Sequence, residues 1–186
     1  MIDLDTDISL CIKALQENKL ILFSTETHIG FGFNALSNEA IINIEKFVDL
    51  KISENYLLVN SIDMICRFVK ELPDFAQELI ELASEPLVIS YSGAMGLPKQ
   101  LITSDGFVLM TLPQDHFSKT IIYKYRKPIA FVPLFDKTKI KSFIDESNML
   151  IHVSENAKHA RTNGKIPGII KLGIKGSIEI IRESAV

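Results

Sequence analysis

Apolar residues recur along this chain in two rhythms, and their alternation predicts a single α/β domain spanning residues 1–186. Ile8, Cys11, Ile12 and Leu15 share one face of a helix ending near Asn18, with Asp7 or Ser9 placed to cap its start. Residues 20–23 then form a short continuous apolar run, the kind buried inside a sheet. Ser37-Asn38-Glu39 opens a second helix with a stripe of Ile41, Ile44 and Phe47 or Val48, and residues 56–59 are again a continuous apolar strand. Two further helices are expected over about 62–72 and 73–83, the second started by Pro73-Asp74. Residues 87–91 and 107–112 read as strands on either side of a glycine- and proline-containing loop, 92–104. Residues 116–125 read as helix, 129–134 as strand and 139–145 as a short helix, while 150–153, 169–172 and 177–181 complete the strands. The polar segment 154–168 follows neither rhythm and is expected to be a surface loop.

Composition sharpens this picture in three places. Apolar residues make up 47% of the chain, with few glycines and prolines, as expected of a globular protein with a sizeable core. No apolar run approaches the roughly 18 residues of a membrane span. The first seven residues are acidic where a secretory leader would be basic, so a cytoplasmic location away from the membrane is expected. Net charge is only −3, but residues 1–115 carry 7 Lys/Arg against 17 Asp/Glu, and residues 116–186 carry 13 against 6. The basic C-terminal third either faces an anion or neutralises the acidic remainder across the fold.

Generic chemical motifs are sparse. There is no phosphate loop, no serine elbow, and no pair of His28, His116, His152 and His159 with the spacing of a local zinc site. Cys11 and Cys66 sit in helical apolar patterns without metal-ligand spacing and are expected to be buried free thiols; no metal site is expected. Asp115 precedes a predicted helix and is read as its cap rather than as an acid–base partner of His116. The most informative stretch is Ser24-Thr25-Glu26-Thr27-His28-Ile29-Gly30-Phe31-Gly32. It ends a strand in small polar residues, then places two glycines where a turn or a close backbone approach is expected.

That stretch resembles the Pro-Thr-Glu-Thr-x-Tyr-Gly-Leu-Gly signature of the YrdC-like family. The likeness runs through residues 56–59, Pro86-Leu87, residues 107–113 with His116, Lys127-Pro128-Ile129 and the ending Ile180-Ile181-Arg182-Glu183-Ser184-Ala185-Val186. It implies the YrdC-like (DHBP-synthase-like) fold, a twisted mixed β-sheet flanked by helices with a concave ligand-binding face. Active members are threonylcarbamoyl-AMP synthases of the tRNA threonylcarbamoyladenosine pathway, which use threonine, bicarbonate and ATP. Family members are also described as binding double-stranded RNA.

Carried over residue by residue, the resemblance places substrate contacts at Thr25, Thr27, Asn60 and Thr111, and nucleotide contacts at Lys51 and Arg182. The family's Lys-x-Arg corresponds to Lys51-Ile52-Ser53 or Lys46-Phe47-Val48, neither with the arginine. Its Ser-Ala-Asn corresponds to Pro133-Leu134-Phe135, its histidine to Asn60, and its threonine-binding arginine to Thr111. The implied function is a degenerate, non-catalytic paralogue binding nucleotide, double-stranded RNA or tRNA, with self-association open. The alternative is an active synthase using ATP with Mg²⁺; otherwise no cofactor is implied.

Overall fold

A computed structural model of the chain describes residues 2–50, 54–83, 86–145, 148–160, 166–173 and 177–184. Helix α1 (Leu4–Gln16) begins a turn earlier than its apolar stripe suggests. Asp3, in extended backbone, caps it by accepting hydrogen bonds from the Thr6 N–H (3.0 Å) and hydroxyl (2.7 Å). The expected caps serve otherwise: the Ser9 hydroxyl donates to the Asp5 carbonyl, and Asp7 is buried beside Ile8 and Cys11.

Strands β1 (Leu20–Ser24) and β2 (Ile29–Asn34) form a hairpin closed where the Thr25 N–H donates to the His28 carbonyl at 2.9 Å. The two glycines of the signature stretch therefore lie in a strand, not in the turn. Neither has a positive φ. Their role is close approach: a Cβ on Gly32 would stand 2.6 Å from the Phe23 ring, and one on Gly30 would stand 2.5 Å from the Phe131 ring.

Helix α2 (Asn38–Ile44) is capped by the Ser37 hydroxyl and stops before Phe47 and Val48, which still pack on the core. After β3 (Tyr56–Leu58) come α3 (Ile62–Cys66) and α4 (Ala76–Leu82), both shorter than their apolar patterns predict. The chain leaves α3 because Val69 pairs in a β-bridge with Ala94. Cys66, at the end of α3, is exposed, whereas Cys11 is buried.

Strands β4 (Leu87–Ser92) and β5 (Phe107–Thr111) follow, with a single 3-10 turn over Lys99–Leu101 between them. Then come α5 (His116–Tyr125), β6 (Ile129–Pro133), α6 (Lys137–Asp145) and β7 (Ile151–Val153). The segment expected as a surface loop instead starts with α7 (Glu155–Lys158), capped by the fully buried Ser154 and anchored by buried Ala157. Strands β8 (Gly168–Leu172) and β9 (Ile178–Arg182) end the described chain.

Among the described residues nine strands form one mixed sheet in the order β7-β1-β2-β6-β3-β5-β4-β8-β9, with β1/β7, β3/β5 and β4/β8 parallel. Side-chain alternation sorts its two faces. Phe23, fully buried, meets Phe117 of α5 and the edge of Phe131. Phe31, on the other face, meets Phe47 and Phe143 of α6. The strand registers put Phe23, Phe131, Tyr56, Leu58, Thr111 and Val88 on the first face, where the hairpin turn folds over them.

Candidate functional site

The hairpin turn is built by one side chain. Thr25 Oγ1 accepts from the N–H groups of Thr27 (3.3 Å) and His28 (3.2 Å) and donates to the His28 carbonyl (3.1 Å). Its hydroxyl is thus consumed in shaping the turn. Thr27 is buried and hydrogen-bonded to Tyr56, whose hydroxyl burial holds in the neutral form. Thr111 donates from Oγ1 to the Leu87 carbonyl at 2.7 Å.

Three sequence-predicted residues, Thr25, Thr27 and Thr111, therefore converge on one cleft with Glu26, Tyr56, Leu58, Pro86, Val88, Pro113 and Pro167. The cleft is tight. It offers ≈ 10 Å³ to the centre of a water molecule, room for about one.

Glu26 is the group sequence reasoning left out of the site. Its Oε1 accepts the Gln114 N–H at 3.0 Å, while Oε2 is buried without a protein donor, as is Oδ2 of Asp115. Asp115 caps α5 through its other oxygen, which accepts the Ser118 N–H at 2.8 Å. A neighbouring carboxylate adds to the cost of ionising a buried acid. Burial, reinforced by Asp115, raises the Glu26 carboxyl to about 7. No local spacing could have revealed a pair brought together by a β1–β2 turn and a helix cap.

The sign of the pH effect follows. The folded value lies above the 4.5 of the free side chain, so the native state keeps a proton that the unfolded chain releases. The stability gained is complete below about pH 4.5 and is lost as pH rises through about 7. After allowance for partial solvent exposure the effect is about 1–2 kcal/mol. Between pH 5.5 and pH 8 (both approximate working values) the melting temperature of E26Q should fall less than that of the parent chain. Parallel pH profiles for the two would refute the raised Glu26 carboxyl.

The other predicted residues do not line this cleft. Asn60 accepts from the Ser61 hydroxyl and lines a different cavity, of ≈ 460 Å³, with Gln114, Lys119 and Tyr123. Arg182, on β9, donates from Nε and Nη2 to the Pro167 carbonyl at 3.2 and 3.0 Å. It stands near enough to depress the pKa of His28, which burial lowers first. Lys51, Glu85, Gly164-Lys165 and Ala185-Val186 lie outside the described residues.

Lys46, the alternative cation, borders an open cavity of ≈ 480 Å³ with Pro133, Leu134 and Phe135. Four carboxylates share that wall (Glu45, Asp49, Glu54 and Asp136) against Lys46 and Lys139. Lys46 Nζ is itself bound to Asn43 Oδ1 at 2.9 Å.

The Sua5_yciO_yrdC family model, described as "Telomere recombination", matches residues 13–184. The chain belongs to the Sua5/YciO/YrdC family. Among curated protein sequences none matches it. Among solved structures, P. abyssi Sua5 complexed with L-threonine superposes with a TM-score of 0.75 at 21% identity, covering 92% of this chain and 52% of that one. E. coli YciO superposes at 0.78 and 13% identity, covering 100% and 92%. T. kodakarensis HypF gives 0.73 and 13%, covering 95% of this chain and 24% of its own. The YrdC-like chain thus spans about half the length of the Sua5 structures it matches, and these likenesses establish its fold. Among the described residues no helix is long and apolar enough to cross a membrane.

Proposed function

We propose that this YrdC-like domain, a relative of the Sua5 threonylcarbamoyl-AMP synthases, has lost the synthase chemistry and works as an RNA-binding module. The observation that carries the first half is the ≈ 480 Å³ cavity where Leu134 and Phe135 stand in the family's polar positions. Transfer at the α-phosphate of ATP needs cations and hydrogen-bond donors held on the polyphosphate. Among the described residues this wall offers several apolar side chains, Leu134 and Phe135 among them, and four carboxylates against two lysines, a net repulsion for a triphosphate. The cleft beneath the signature turn agrees, because the hydroxyls of Thr25 and Thr111 are spent on the protein's own backbone and that of Thr27 lies 3.2 Å from Thr25 Oγ1.

RNA is favoured over a free nucleotide by α5. Lys119, Arg126 and Lys127 are exposed there with Tyr123, which is 72% exposed, whereas Lys124 is held by Asp5 Oδ1 at 2.8 Å. An aromatic ring amid basic side chains suits phosphate contact with base stacking. The remaining basic residues, Lys137, Lys139 and Lys141, ride on α6 against the opposite sheet face and belong to a separate surface.

In filter binding with a hairpin RNA, whose duplex stem offers phosphates and whose unpaired loop offers bases to Tyr123, three phosphate contacts should lower affinity about 40-fold between roughly 50 and 200 mM salt. Y123A and charge reversal at Lys119 and Lys127 should weaken binding further. Absence of binding at the lower salt removes the RNA half of the proposal.

A second function has one observation in its favour: Thr25, Thr27, Thr111 and Glu26 do converge, and a structural neighbour was solved with L-threonine. An active synthase would need ATP with Mg²⁺ and bicarbonate, and threonine-dependent pyrophosphate release would establish it.

A further inference from the structure

Away from the cleft, α1 meets the outer strand of the sheet through a group of side chains that no local spacing brings together. Asp7 and Cys11 are one turn apart on the buried face of α1, and His152 is the middle residue of β7, paired with Ile21 of β1. One ligand atom from each lies within 4.8 Å of the other two.

Two of those atoms are buried polar groups without a protein partner. Asp7 is 2% exposed, and its Oδ1 makes no hydrogen bond; His152 Nε2 makes none either, and the two stand 3.9 Å apart. Unpaired polar atoms in a protein interior are rare and costly, and here they point at each other and at a thiol.

We propose that Asp7, Cys11 and His152 form a binding site for one divalent transition-metal ion of the zinc type. The donor set is mixed: one carboxylate oxygen, one thiolate sulfur and one imidazole nitrogen. Zinc takes this combination at about 2.0–2.3 Å, whereas magnesium and calcium prefer oxygen alone. Tetrahedral ligands at those lengths stand about 3.3–3.7 Å apart. Closing the triad therefore requires side-chain shifts of about 1 Å or less, with a water completing the fourth position.

The rest of Asp7 is already oriented for the task. Its second oxygen accepts the Asn156 N–H at 3.3 Å, fixing the carboxylate as outer partners of metal ligands do. Asn156 in turn accepts the Ser24 N–H through Oδ1, at the first residue of the signature stretch. A metal here would clamp α1 to β7 and brace the base of the hairpin turn. It plays no part in the RNA surface on α5.

The test uses the full chain carrying C66S, so that Cys11 is its one thiol. Titration with Co²⁺ should produce a thiolate-to-cobalt charge-transfer band that saturates at one equivalent, and Zn²⁺ should abolish that band. C11S in the same background should remove it, and H152Q should weaken Zn²⁺ binding at least tenfold by calorimetry. The absence of a thiolate band in folded C66S protein overturns the proposal, as does unchanged Zn²⁺ affinity in H152Q. If C11S fails to fold, the band in the C66S chain and the H152Q isotherm still decide.

Discussion

In a Phe23→Ala background, Gly32→Ala is expected to be nearly neutral, whereas in the parent chain it costs about 1–3 kcal/mol. The reason is geometric. A methyl group at residue 32 would meet Phe23 at 2.6 Å, Ile21 at 3.0 Å and Ile129 at 3.1 Å, all side-chain atoms, with the aromatic ring closest. Phe23 cannot yield, being fully buried between Phe117 and Phe131 at centroid separations of 5.9 and 5.2 Å.

Removing Phe23 alone should cost about 3–5 kcal/mol, a large part of the stability of a domain this size. The same space then admits the methyl group. A double-mutant cycle by urea unfolding reads the coupling, and Phe23→Leu serves if the alanine variant does not fold. Equal penalties in both backgrounds would show that Gly32 is needed for something other than packing, such as contact with a ligand.

The second large effect is on catalysis. Loss of a single charge-stabilising contact slows an enzyme by about 10²–10³. By the resemblance, Pro133-Leu134-Phe135 would stand in for Ser-Ala-Asn, Thr111 for the threonine-binding arginine and Asn60 for the histidine, while among the described residues four carboxylates line the cavity beside Phe135. Such losses do not multiply within one site. Even so, threonylcarbamoyl-AMP formation should run at least about 10⁴-fold below that of an active family member assayed alongside. A rate within tenfold of that control would establish that this cleft has found other contacts.

Much of the scaffold was legible because burial writes itself into apolar runs. Residues 20–23 and 56–59 are continuous and apolar, 87–91 and 107–112 are apolar but for Ser90 and Thr111, and each lies within or against a buried strand of the sheet. Strand β2 was hidden because Gly30 and Gly32 signal a turn by composition, while their neighbours Phe131 and Phe23 are supplied by other strands. The cap of α1 was misplaced because Asp7 fits a capping position equally well until its burial is known. Cys66 shows the same limit, since a helical apolar pattern does not reveal where the helix leaves the core.

At the site, the family signature pointed to Thr25, Thr27 and Thr111, which the fold does bring together. It could not show that the hydroxyls of Thr25 and Thr111 serve the backbone, nor that Asn60 and Arg182 would border other cavities. The Glu26–Asp115 pair and the Asp7–Cys11–His152 cluster depend on contacts between residues far apart in the chain. Only topology places them.

Calorimetric titration of the protein with ATP and Mg²⁺, with and without saturating threonine, tests most directly the proposed loss of triphosphate binding by this scaffold. The expected result is no binding tighter than about 1 mM in either case, an interaction weaker than about 4 kcal/mol. A micromolar dissociation constant for ATP, tightened by threonine, would contradict it.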